Sequence, residues 1–186
     1  MRRRSVLLSG LTGAFASAFA VGRTTTAQEA TPDALAGHPL VGTWVVMSTG
    51  GLVPQTHGAD GSFIAAFPPN YVDPALGLTF QGPGLGRWES TGARSGRFTF
   101  LQALSDADGA SAGTFQLAGE IEVSEDGQSW SGTGPGAQII VRDAANTVIL
   151  DQVLPIDPPV TATRMGATIE SVVPPTTISM ISTPTP

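Results

Sequence analysis

The chain of 186 residues contains neither cysteine nor lysine, and it has a single tyrosine. Without cysteine there is no disulfide, no thiolate metal ligand, no cysteine nucleophile and no lipid anchor on an N-terminal cysteine. The chain also lacks a Gly-x-Ser-x-Gly elbow, so the nucleophilic triad of a hydrolase has no support. We therefore expect a domain that depends on an ordinary hydrophobic core for its stability.

Positive charge is scarce. All nine basic residues are arginines, and four of them precede residue 28. In the remaining chain five arginines face fifteen carboxylates, which gives a formal net charge of −10. Nucleic acids and anionic membrane surfaces are bound by clustered cations. We therefore expect no nucleic-acid partner, and no membrane partner after removal of an N-terminal signal. The sequence does not indicate whether the protein is a monomer or an oligomer.

The N-terminus has the pattern of an export signal. Arginines at positions 2–4 precede an apolar run over 5–21, which is too short and too interrupted by Gly and Ser for a membrane span. Arg3 and Arg4, followed by apolar residues, resemble the twin-arginine signal of bacteria. Cleavage fits after Ala20 or after Ala27, and we prefer Ala27 because a polar linker follows it. The prediction is a signal peptide over 1–27, a linker over 28–37 and a location in the cell envelope or outside the cell.

Residues 38–167 have the pattern of an all-β domain without an amphipathic helix. The clearest strand runs from Thr114 to Ser124, where apolar and polar side chains alternate with period two. Further strands are predicted at Val41–Ser48, Ser62–Phe67, Leu85–Thr91, Arg97–Leu104, Gln128–Thr133, Ala137–Arg142, Thr147–Leu154 and Val160–Gly166.

Short turns connect most of these runs, which predicts an up-and-down antiparallel barrel of about eight strands. Prolines make Pro68 to Gly84 a long irregular loop in this interpretation, and Gly134–Gly136 a break or bulge. The Thr/Pro-rich tail over 168–186 is expected to be disordered.

Gly42-x-Trp44 at the start of the first strand resembles the lipocalin/calycin superfamily of β-barrels. In that family the Trp closes one end of the barrel, and an Arg from the last strand packs across its indole. The resemblance implies these structural roles for Gly42, Trp44 and Arg164. Gly84 to Ser90 is similar to a strand of lipocalin-like extracellular bacterial proteins. The chain departs from typical lipocalins in its proline-rich loop and in having no evident helix after the last strand.

Eight apolar residues are candidates to line a ligand pocket: Phe63, Phe67, Trp88, Phe98, Phe100, Phe115, Leu117 and Trp130. An eight-stranded barrel is either filled by such side chains or holds one small ligand. Small residues on the strands, such as Ala65 and Gly119, favour a remaining cavity.

The candidates for metal binding are few. His38, His57 and Asp60 supply three ligands only if the first strand and the following loop fold together. We favour the alternative, in which both histidines are exposed at loop ends. The run from Asp106 to Gly109 resembles the start of a calcium loop, but Leu117 stands where the required Glu belongs, so a turn is favoured. We predict no metal and no cofactor.

Arg87 and Glu89 lie on one face of a predicted strand and Trp88 on the other. If Trp88 points inward, the two charged side chains are in solvent, and this register is favoured because burying unpaired charge is costly. In the reverse register they line the interior and could polarise a carbonyl.

Three functions remain open at this point. The leading hypothesis is a non-catalytic barrel that binds a small apolar or amphipathic molecule. The second is a calycin-type cyclase or isomerase, similar to allene oxide cyclases and using Arg87, Glu89 and Tyr71. The third is a structural or interaction module of the cell envelope, with the Thr/Pro tail as a spacer.

Overall fold

The computed structural model describes residues 35–48, 51–73, 77–155 and 157–168. The predicted signal peptide, most of the linker and nearly all of the tail lie outside these residues. The strands are β1 Gly42–Ser48, β2 Gly51–His57, β3 Ser62–Ala65, β4 Asn70–Asp73, β5 Gly77–Gln81, β6 Gly84–Ser90, β7 Ser95–Ser105, β8 Ser111–Val123, β9 Ser129–Arg142, β10 Val148–Leu154 and β11 Thr161–Arg164. Within the described ranges, no helix has the length and apolar character needed to cross a bilayer.

Eight strands form a closed antiparallel barrel. Around the barrel their order is β1, β2, β3, β6, β7, β8, β9 and β11, and β11 pairs with both β9 and β1 to complete the ring. The prediction of an all-β, eight-stranded antiparallel barrel is therefore confirmed. Closure removes the exposed edges that an open sheet of this size would present.

The membership of the barrel differs from the predicted one in two strands. β2 was not predicted, because its inward positions include Gln55 and His57, which hide the apolar alternation, and because Pro54 interrupts it. Pro54 is tolerated because it faces outward, opposite Val45 of β1. β10 was predicted as a barrel strand, but it lies outside the ring and pairs only with the C-terminal half of β9.

The predicted irregular loop over residues 68–84 is also partly wrong. It contains the hairpin β4–β5, which adds to the C-terminal end of β7 through Phe80 and Gln81. Prolines obscured this hairpin in the sequence, but they lie outside the two short strands. β7, β8 and β9 thus extend beyond the barrel, with the hairpin on one flank and β10 on the other.

The closed end of the barrel is organised by Trp44 and Arg164. Trp44 is fully buried, and its indole Nε1 donates a hydrogen bond of 2.9 Å to the Leu40 carbonyl. Arg164 is its cross-strand partner, and the guanidinium carbon lies 4.2 Å from the centroid of the Trp44 ring. This is the distance of a cation–π contact.

Arg164 also ties three segments together by hydrogen bonds. It donates to the carbonyls of Val41 at 3.0 Å, of Gly127 at 2.7 Å and of Pro39. Gly42 makes room for this guanidinium, because a Cβ there would lie 2.7 Å from Nη1 of Arg164. Its φ of 136° also favours glycine. The Gly42-x-Trp44 motif therefore joins the entry segment, the first strand and the last strand.

The chain entering β1 is part of the core rather than of a linker. Leu35 is only 3% exposed and packs in the same cluster as Leu40, Trp44 and Trp88. The packed domain therefore begins at least three residues earlier than the sequence pattern indicated, since Leu35 lies within the predicted linker over 28–37.

Replacing Trp44 by Ala should lower the free energy of unfolding by about 3–5 kcal/mol, because it leaves a cavity and removes the surface on which Arg164 rests. Denaturant unfolding measures this loss. Met47→Ala, at a 51% exposed position of the same strand, is the matched control and should cost less than about 0.5 kcal/mol. Equal costs for the two variants would contradict the role assigned to Trp44.

Candidate functional site

The barrel interior holds a cavity of about 130 Å³. Val46, Val53, Phe100, Leu117 and Val160 contribute to its apolar wall. Its volume is below the roughly 300 Å³ at which typical ligand pockets begin. It is close to the roughly 150 Å³ of an engineered apolar cavity that takes up benzene. The interior therefore has room for a single ring but not for a large ligand.

The structure divides the eight candidate pocket residues into two groups. Five of them line the cavity: Phe67, Phe98, Phe100, Leu117 and Trp130. The other three pack around them. Phe63 is stacked against Phe98 and Phe100 with ring centroids 4.9 and 5.6 Å apart, and Phe115 lies 6.2 Å from Phe100.

Trp88 belongs to the closed end rather than to the cavity. Its indole Nε1 donates to the Gly58 carbonyl at 2.8 Å, and its ring lies 5.3 Å from that of His38. The sequence analysis missed Val53 and Gln55 as wall residues because both lie on β2, for which no strand was predicted.

Two polar atoms in the cavity-lining side chains have no hydrogen-bond partner among the described residues. They are Oε1 of Gln55 and Nε1 of Trp130, and both are buried. An unsatisfied buried acceptor or donor costs about 1–3 kcal/mol, so such groups need an explanation. Both side chains line the apolar cavity, but each of these two atoms is enclosed by the protein and has almost no accessible surface.

His57 is buried among aromatic rings. It has no exposed surface, and its ring makes edge contacts with Phe63 at 5.0 Å and Trp88 at 5.7 Å. Neither ring nitrogen has a partner within the described residues. Burial, with a smaller effect from the charge of His38, lowers the pKa of His57 to about 4, so the imidazole is neutral near neutral pH. The preferred interpretation, in which both histidines are exposed at loop ends, is wrong for His57.

The remaining groups of the suggested metal sites have structural roles. His38 accepts from the Leu40 amide at Nδ1, so its Nε2 donates to the Gly92 carbonyl at 3.0 Å. Asp60 caps the Ser62 amide in a turn. In the same way, Asp106 accepts from the amides of Asp108 and Ala110. In the part of the chain that the structure describes, no three His, Asp or Glu side chains are grouped for metal binding.

A second, larger space lies on the outer face of the barrel. This outer groove has a volume of about 830 Å³ and is bounded by β6, β7, β8, β9 and β10. Arg87, Trp88 and Glu89 all border it, but Arg87 and Glu89 are exposed on the outer face, whereas Trp88 is 3% exposed and faces inward. The register that would place Arg87 and Glu89 in the interior is therefore wrong, and the cyclase hypothesis loses the two charged groups that were expected to polarise a carbonyl. Tyr71 lies on β4 and lines neither space.

Comparison of the chain with protein-family models, curated proteins and solved structures finds no match. The barrel is thus established by its own strand pairing, and it is compatible with a calycin-like fold. The lipocalin likeness rests on Gly42, Trp44 and Arg164 and on the strand order.

Stability should depend on pH through His57. The unfolded imidazole, with a pKa of 6.5, binds a proton at a pH where the folded one does not, so the free energy of unfolding falls as the pH falls between 6.5 and about 4. We expect a loss of about 2 kcal/mol from pH 7 to pH 5. His57→Leu should flatten this dependence in denaturant unfolding, and an unchanged slope would show that His57 is not its source.

Two carboxyls do not interfere with this measurement. The hydroxyl of Ser62 lowers the pKa of Asp60, and that of Ser124 lowers the pKa of Asp126, both from 3.8. A lowered carboxyl pKa contributes stability that is lost only as the pH falls below the unfolded value. Their effect therefore lies on the acid side of the window assigned to His57.

Proposed function

We propose that this protein is a lipocalin-like barrel that binds a compact amphipathic molecule in its interior, without catalysis. The observation that carries the proposal is the cavity of about 130 Å³ inside the barrel, whose wall is formed largely by apolar side chains. A ring supplies the apolar contact that such a wall favours, and the polar group of the ligand lies at the edge of the apolar space.

The volume of the cavity limits the size of the ligand that it can hold. A one-ring molecule fits a space of this volume, whereas the long chain of a fatty acid does not. Within the described wall, the single ionisable side chain is Glu120, which projects from the outer face of β8. General acid–base chemistry requires a positioned proton donor or acceptor at the reacting atom, so binding suits this interior better than catalysis.

Filling the cavity should remove binding. Val53→Phe places a larger side chain in the wall, and we expect it to abolish the rise in melting temperature that a one-ring compound such as phenol gives the unaltered protein. Leu52→Phe is the matched control, because Leu52 is next to Val53 on β2 and its side chain is 44% exposed on the outer face. If phenol stabilises neither the unaltered protein nor the control, the interior does not bind such ligands.

We further propose that the protein is exported by the twin-arginine route and acts in the cell envelope or outside the cell. The arginine pair at positions 3 and 4 and the acidic, lysine-free remainder support this location. An exported binder also fits a chain whose predicted partner is a small molecule rather than nucleic acid or membrane.

Replacing both Arg3 and Arg4 by Lys should stop export, because the twin-arginine receptor requires the arginine pair. Immunoblots of cell fractions from the source bacterium measure this, and the mass of the exported form should correspond to cleavage after Ala27. Export that persists in the double variant would indicate the general secretory route instead.

A further inference from the structure

The interior cavity and the outer groove meet at one place in the barrel wall. Four residues line both spaces: Phe98, Gly119, Glu120 and Gly136. These residues come from β7, β8 and β9, so the two spaces approach each other where β8 pairs with β9. We call this place the β8–β9 junction.

The strand pairing is interrupted at this junction. Ala118 pairs with Gln138 and Glu120 pairs with Thr133, so Gly119 alone stands opposite residues 134–137. This is an enlarged β-bulge with four residues opposite one, and it locally disrupts the ladder of hydrogen bonds. The two spaces therefore meet at an interruption of the strand pairing in the barrel wall.

Several residues at the junction are glycines, which contribute no side chain there. Gly134 and Gly136 have φ angles of 78° and 149°, which side-chain-bearing residues rarely adopt. A Cβ on Gly119 would lie 3.3 Å from the Phe98 ring. The Phe98 ring therefore lies directly against Gly119 at the junction.

Glu120 places an unpaired negative charge at the junction. A Cβ on Gly134 would lie 3.0 Å from its Oε2, so the carboxylate lies over the bulge. Arg97 is its cross-strand neighbour, but the Nε of Arg97 donates to Glu89. Among the described residues Glu120 forms no ion pair.

The other cation of the groove is engaged elsewhere. Arg87 donates to the Asp60 carbonyl at 3.3 Å, beside Gly61 on the β6 side of the groove. The groove thus contains two guanidiniums and two carboxylates, and Glu120 is the one charge that also lines the interior cavity. A ligand that reaches from the interior through the junction meets an anionic acceptor beside an aromatic ring.

We propose that the β8–β9 junction is the ligand entrance and that Glu120 selects amphipathic amines. The ring of the ligand lies in the interior, and its ammonium group lies between the Glu120 carboxylate and the Phe98 ring. A carboxylate and an aromatic face both favour a cation. The inference rests on the proposed binding function and adds the class of ligand and its route.

Three probes of similar shape test the selection: benzylamine, benzyl alcohol and benzoate. Calorimetric titration should give the tightest binding for benzylamine, then benzyl alcohol, with benzoate weakest. Glu120→Gln should weaken benzylamine by roughly five- to tenfold and leave benzyl alcohol unchanged. Glu122→Gln is the matched control on the same strand, because Glu122 pairs with Arg94 at 3.2 Å and lines neither space.

The possible outcomes separate this inference from the proposed function. Equal affinity for benzylamine and benzyl alcohol, unaffected by Glu120→Gln, would overturn amine selection and leave the interior site intact. Preference for benzoate would overturn amine selection and show that Arg87 and Arg97, rather than Glu120, determine which ligand charge is bound. Failure of all three probes to bind would overturn both proposals.

Gly119→Ala tests the entrance. Its methyl group presses against Phe98 and narrows the junction, so we expect benzylamine to associate more slowly in stopped-flow or relaxation measurements. Thermal unfolding of the same variant checks that the barrel is intact. An unchanged association rate in a folded variant would place the entrance elsewhere.

Discussion

The contact between Arg164 and Trp44 is the constraint on which the rest of the barrel depends. One guanidinium stacks on the indole and donates to carbonyls of the entry segment and of the turn before β9. It thereby joins the two ends of the sheet at the place where β11 meets β1. Because these partners are far apart in sequence, the contact forms only when the ring is closed, and it favours closure over an open sheet.

Beyond the closed end, one part of the barrel interior is filled by packed side chains and another part is the cavity. The stacked rings of Phe63, Phe98 and Phe100 fill the middle, and the neutral His57 packs against them. The unfilled part lies beside the glycine-rich bulge between β8 and β9. At this interruption of the strand pairing, the interior cavity and the outer groove lie next to each other.

The sequence predicted the barrel but only part of its wall. Period-two alternation identified β8, and turn residues separated most of the other strands. β2 was missed because it turns Gln55 and His57 inward, so a pattern based on hydrophobicity could not recognise it. β10 has the apolar composition of a barrel strand, yet it pairs outside the ring, because composition does not specify a strand's neighbour.

By itself the sequence determined the all-β class, the closed barrel of about eight strands, the inward side of Trp88 and the link between Trp44 and Arg164 that a family resemblance implied. These follow from local alternation, turn chemistry and one short motif. Only the tertiary structure decided the volume of the interior, the burial of His57 and the meeting of two spaces at Glu120. Each of these depends on which strands become neighbours and on how side chains from distant segments fill the space between them, and no local pattern encodes that.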